Sequence, residues 1–136
     1  MDSAVGERGD QMSDRERRQR QIARELLSQY LPTQLKFETL QKIKIEKLKA
    51  GESNTMVCEQ LGEVGDKRMR LLFKSEVLLD KAELTEVQRM IIEQTYYYGK
   101  SLEYIAIKLN YSIPHIKRLK AQALEAIGSV IEDDTQ

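Results

Sequence analysis

The chain has 136 residues, with 22 Lys and Arg against 22 Asp and Glu, one His and one Cys. That length suits one modest domain or two very small ones. A single thiol excludes an internal disulfide and a cysteine-built zinc site, and zero net charge requires any nucleic-acid footprint to be a local basic patch.

Leu, Ile, Lys, Glu, Gln and Arg are abundant, there are two prolines, and no long β-branched alternation occurs. An all-α fold is therefore expected. No apolar run approaches the ~20 residues of a membrane helix. The opening MDSAVGERGDQMSDRERRQR lacks the apolar segment of a secretion signal. A cytoplasmic protein with no membrane partner is expected.

Residues 1–14 mix Gly, Asp, Ser and Arg without apolar period and read as a disordered tail, with Ser13 or Asp14 placed to cap the first helix. From Arg15 to Leu31, Ile22, Ala23, Leu26, Leu27 and Tyr30 form one helical stripe that Pro32 should end. Thr33 can cap a second helix over 34–50, closed by Gly51, with Leu35, Phe37, Leu40, Ile43, Ile45 and Leu48 as its apolar members. Its lysines (36, 42, 44, 47 and 49) read as a solvated face rather than a nucleic-acid face.

The three glycines of residues 51–66 suggest a connection with one helical turn near Met56–Leu61, in which Cys58 is a small, partly buried residue. Lys67 to Lys81 reads helical, with Met69, Leu72, Phe73, Val77 and Leu78 on its inner side. Thr85 and Gln88 fit a capping box for a helix from Glu86 to about Tyr98, stopped by Gly99. Of Tyr96, Tyr97 and Tyr98, two should be core and one partly exposed, because neighbours on a helix point about 100° apart.

Residues 101–127, SLEYIAIKLNYSIPHIKRLKAQALEAI, carry the functional signal. Ser101 can cap a helix over Leu102–Leu109 with Ile105, Ala106 and Leu109 inward. Asn110 tolerates the left-handed conformation that ends a helix. Ser112 can cap the next helix, with Pro114 in its first turn, where a missing N–H costs nothing. Ile116, Leu119, Ala123 and Ile127 then face inward. Two helices across a short turn, the second presented outward, form a helix-turn-helix. The outward residues Ile113, His115, Lys117, Arg118 and Gln122, with Ser112, Lys120 and Lys108, are the expected DNA contacts. Arg and Lys can donate to guanine edges or phosphates, and Gln can pair with adenine. Residues 108–122 hold Lys108, Lys117, Arg118 and Lys120 and no acid.

The same stretch resembles the sigma-factor domain that reads the −35 promoter element. Ser101, Leu102, Ile105, Ala106 and Leu109 stand at that domain's first-helix positions, and Ser112, Ile116, Leu119, Ala121, Ala123, Leu124 and Ile127 at its recognition-helix positions. The resemblance aligns His115, Lys117 and Arg118 with base-reading positions. It departs at Ile113 and Pro114, where that pattern usually carries polar residues. Arg89–Glu93 followed by Tyr96-Tyr97, and the stretch Glu25–Tyr30, are similar to phage late-gene regulators of the ArpU and RinA type. That similarity implies a transcriptional activator of phage or prophage late genes.

The expected division is a tail over 1–14, an N-terminal helical region over 15–82 for dimerisation or polymerase contact, a DNA-binding helix-turn-helix over 83–132, and a tail over 133–136. Double-stranded DNA is the expected partner, with RNA polymerase and a second copy as further partners. No cofactor and no metal are expected. The alternatives are a stand-alone sigma-like factor, a small terminase subunit, and a protein-interaction module that binds polymerase without reading DNA. The only aromatics before the C-terminal region, Tyr30, Phe37 and Phe73, sit at core spacing, which argues against a promoter-melting domain. An enzyme is disfavoured because no glycine-rich phosphate loop or clustered Asp/Glu/His set occurs.

Overall fold

The computed structural model describes residues 13–134, and nearly all of the tail read over 1–14 lies outside the described residues. Six helices account for the described chain: α1 (Asp14–Leu27), α2 (Tyr30–Lys49), α3 (Thr55–Lys81), α4 (Glu86–Tyr96), α5 (Leu102–Leu109) and α6 (Ile113–Asp134). Among the described residues there is no strand, and no helix is long and apolar enough to cross a membrane.

Ser13 caps α1, its Oγ accepting from Glu16 N at 3.1 Å, and Asp14 and Glu16 place negative charge at the positive end of the helix dipole. Gln19, Ala23 and Leu27 form the buried stripe. α1 lies along α6, so the first and last helices share one core. The axes approach so closely at Gly128 that a Cβ there would overlap the Gln19 backbone. Ion pairs Arg20–Glu125 and Arg18–Glu132 border this contact.

The break after α1 corrects the expected stop at Pro32. α1 ends at Leu27, Ser28 and Gln29 make the turn, and Pro32 sits inside the first turn of α2. A proline's missing N–H is harmless in a first turn, so Pro32 marks the start of α2 and not the end of α1. Thr33 is buried and donates its hydroxyl to Gln29 O at 3.0 Å instead of capping.

α3 corrects the expected connection over 51–66. Its helix begins at Thr55 and runs through Gly62 and Gly65. Each glycine lowers helix propensity by about 1 kcal/mol against alanine, and packing overrides this. A Cβ at Gly65 would stand 3.1 Å from the Phe37 ring, so its absence lets α2 and α3 approach. The Arg68 guanidinium lies over that ring, 4.8 Å from its centroid, and donates to Gln34 at 3.1 Å. Met69 and Phe73, expected inward, are exposed, and so is Cys58. Leu78, also expected inward, is buried, and Val57, Ser75 and Leu79 join it on the inner side of α3. α2 packs chiefly on α3, and the pair forms an antiparallel arm.

Ala23, Leu27, Tyr30, Leu78, Leu79, Ile92, Tyr97, Ala123, Leu124 and Ile127 make the main core. The Thr85–Gln88 capping box forms in both directions, at 3.0 and 3.1 Å. Arg89 ties α4 to α3 through Asp80 at 2.6 Å and through Glu76, with Glu93 beside it. α4 ends at Tyr96, two residues earlier than expected, and Gly99 takes φ +66° in the following turn. Tyr97 is buried, Tyr96 half-buried and Tyr98 exposed.

Burial raises the Tyr97 pKa well above that of a free phenol, and Glu76 and Glu93 push it the same way. Burial raises Tyr96 too. An acid whose pKa is higher in the folded chain supports the fold below its unfolded pKa of about 10 and loses that support as pH rises further. Stability is therefore expected to fall above pH ~10, with a shallower fall in Tyr97→Phe. Urea unfolding followed by circular dichroism from pH 8 to 11 checks this; identical slopes in both proteins would contradict it.

Candidate nucleic-acid interface

α5 and α6 are positioned by local capping and by one small apolar cluster. Ser101 Oγ accepts from Tyr104 N at 3.1 Å, which starts α5. Asn110 ends it in the left-handed conformation, φ 59° and ψ 44°. Asn110 N donates to Ile107 O at 3.3 Å and Tyr111 N to Ala106 O at 3.0 Å, the bond pair of a Schellman motif. Ser112 Oγ then accepts from His115 N at 3.3 Å, and Ile116 N donates to Ser112 O at 3.0 Å. Pro114 is the second residue of α6. Asn110→Gly is expected to be neutral or slightly stabilising and Asn110→Val to cost about 1–2 kcal/mol, because a β-branched residue resists positive φ. Thermal melts of the two variants check the contrast.

Ile91 of α4, Ile105 and Ala106 of α5 and Ile116 of α6 are buried together, with Leu102, Leu109, Ile113 and Leu119 packed around them. Ala106 is small and buried where α5 meets α6, so the two helices can approach closely there. The outward side of α6 then carries Ser112, Lys117, Arg118 and Gln122, all exposed, with Lys108 exposed on α5. The His115 ring stacks on Tyr111, 4.7 Å between centroids and 18° from parallel.

Residues 82–127 match the family Sigma-70, region 4.

The match spans α4, α5 and the first two-thirds of α6, so the C-terminal part of the chain is a helix-turn-helix DNA-binding domain of the region 4 kind. It covers less than half of the chain. No curated protein and no solved structure matches.

Within this region 4-like domain the expected contact residues divide. Ser112, His115, Lys117, Arg118 and Lys108 lie together around the α5–α6 turn and the start of α6. Ile113, read as outward, leans onto the Ile91–Ile116 cluster, because the α6 residue three places before the fully buried Ile116 shares its face. Gln122 lies further along α6, where its Oε1 accepts from Gln88 of α4 at 3.4 Å. Lys120 is half-buried, with Nζ 5.4 Å from the Tyr96 ring centroid, and both burial and the nearby Arg24 lower its pKa. Lys120 thus points toward α4 and α1.

Two further side chains join the patch. Lys100 Nζ stands 5.0 Å from the Tyr104 ring centroid and Lys108 Nζ 5.9 Å from the same ring, so one tyrosine gathers two ammonium groups. The signal was available in the sequence: Lys100 precedes the Ser101 cap and Tyr104 stands four residues before Lys108, one helical turn away. Glu103 is the acid closest in sequence to this turn, and it lines the groove beside Tyr111 and Ser112. Among the described residues no three His, Cys, Asp or Glu side chains come together as a metal site.

Proposed function

We propose that this protein is a sequence-specific transcriptional regulator that activates phage or prophage late genes. The observation that carries the reading is the exposure of Lys117 and Arg118 side by side on α6 of a region 4-like helix-turn-helix, with Lys108 and Lys100 beside its turn. In this reading the start of α6 enters the major groove. Lys117 and Arg118 donate to base edges or phosphates, and Lys108 and Lys100 hold the backbone. Ser112, His115 and Gln122 complete the contacts, and Lys120 serves packing against Tyr96 more than direct readout.

The activating role and the phage setting rest on the similarity of Glu25–Tyr30 and Arg89–Tyr97 to late-gene regulators of the ArpU and RinA type. The ends of those two stretches meet in space: the Tyr30 and Tyr97 rings pack edge to face at 5.3 Å. RNA polymerase is the partner that an activating role requires, and the helices before residue 83 supply surface for it.

Selection of bound duplexes from a random pool tests the reading. Enrichment of a defined motif is expected. Failure to enrich any motif at low salt would leave the helix-turn-helix as a scaffold and overturn sequence-specific reading.

A further inference from the structure

The arm of α2 and α3 exposes an apolar face that no part of the described chain covers. Phe37, Ile45 and Leu48 of α2 and Leu61 of α3 line one open groove, with Gly62 in its floor. Ile45 is 50% exposed and Leu48 57%. Along α3, Cys58, Gly62, Gly65, Met69 and Phe73 succeed one another at spacings of three and four, so they form one stripe beside that groove. Met69 is 54% exposed and Phe73 73%. Large apolar side chains this exposed, contiguous across two packed helices, mark an interaction surface. Cys58 and Gly62, the exposed small residues of the stripe, leave room for another helix to come close.

The charges bordering the face differ by edge. From Gln41 to Lys49, α2 carries Lys42, Lys44, Lys47 and Lys49 against Glu46 alone. From Thr55 to Asp66, α3 carries Glu59, Glu63 and Asp66 and no base. Within the arm the described ion pairs hold only Lys47–Glu52, at 3.5 Å, so the opposed charges of the two edges do not satisfy one another. Lys42 and Lys49 stand one turn either side of Ile45, and Glu59, Glu63 and Asp66 each follow a stripe residue by one, so one edge is basic and the other acidic. Lys44 lines the groove itself, while Lys47 turns to the opposite side of α2 beside Thr39 and Ile43.

We infer that this face binds a second copy of the chain, forming a symmetric dimer in which the two arms close into a four-helix bundle. With a two-fold axis running along the arm, α2 of each copy lies over α3 of the other. Lys42 and Lys49 then face Glu59, Glu63 and Asp66 of the other copy, twice, while the apolar stripes bury each other between them. A two-fold contact needs a surface complementary to itself, and an apolar strip with a basic and an acidic edge meets that requirement. The inference does not depend on DNA reading. It adds to the proposed function that the bound site would be two-fold symmetric.

Sedimentation equilibrium of the full chain without DNA tests it, with circular dichroism to follow helix content. The wild type is expected to run at twice the chain mass at tens of micromolar. Leu48→Asp is expected to run as a monomer with unchanged helix content. Two charge-reversed chains decide the geometry: Lys42→Glu/Lys49→Glu, and Glu59→Lys/Glu63→Lys. Each alone should associate at least tenfold more weakly than wild type, and an equimolar mixture should recover the dimer. A monomeric wild type overturns the inference, and so does association that neither reversal weakens. Because the readout is mass in the absence of DNA, its failure is separate from any failure to select a DNA motif.

Discussion

Gly128→Ala is expected to lower the unfolding free energy by about 3 kcal/mol and the melting temperature by roughly 10 °C. Helix propensity alone predicts the opposite sign, since alanine in a helix interior is favoured over glycine by about 1 kcal/mol. The contact between α1 and α6 reverses it. A Cβ at position 128 would fall on the Gln19 carbonyl oxygen, carbonyl carbon and Cα. Backbone has no rotamer with which to yield, so the helices would have to separate. Separation opens the layer where Ala23 and Leu27 meet Ala123, Leu124 and Ile127, all fully or almost fully buried. Close-packed interiors transmit such a shift instead of absorbing it. Truncating the side chain in Gln19→Ala should not rescue the variant, because the collision is with main chain. A melting temperature equal to or above wild type would show that α1 does not lie this close to α6.

The second large effect is on DNA affinity. Lys117→Ala/Arg118→Ala is expected to weaken binding to a selected duplex by about a hundredfold and to reduce the slope of log K against log salt by about 2. Both side chains are exposed on α6 beside the turn, so their removal should leave the fold and its melting temperature unchanged. The control is Lys36→Ala/Lys67→Ala, which removes the same charge from the flank of the arm. It should reduce affinity only slightly, since charges more than a Debye length of about 10 Å from the duplex are screened. Salt titrations of wild type and both variants by fluorescence anisotropy separate the outcomes. Equal losses in the two double variants would mean that DNA responds to total charge, and the α6 reading face would be abandoned.

The region from Thr85 to Ile127 is legible from residue pattern because its structure is written in local bonds. The capping box at Thr85 and Gln88, the Ser101 cap, the left-handed Asn110 and the Ser112 cap each span three to five residues. Such devices act wherever the chain goes, so their residue types announce them. The inward periodicity of Ile105, Ala106 and Ile116 then leaves Lys117 and Arg118 facing out. Pattern alone misplaces Ile113 because its neighbours Ser112 and Pro114 are turn residues, while the buried Ile116 three places on decides its direction.

The arm resists a local reading for a different reason. Gly62 and Gly65 argue locally for a loop, and only the Phe37 ring against Gly65 shows why a helix persists there. The stripe of Met69 and Phe73 has core spacing, yet spacing states which residues share a face and not whether that face has a partner.

By itself, then, the sequence determined the all-α class, the helix-turn-helix and the exposure of Lys108, Lys117 and Arg118 around its turn, since these arise from capping chemistry and helical period within a few residues. Tertiary structure decided that α1 packs along α6, that Lys120 turns toward Tyr96, and that the arm keeps an apolar face exposed. Each of these depends on contacts between residues far apart in the chain, Gln19 with Gly128 or Phe37 with Gly65, and no local pattern encodes which distant surface a helix will meet.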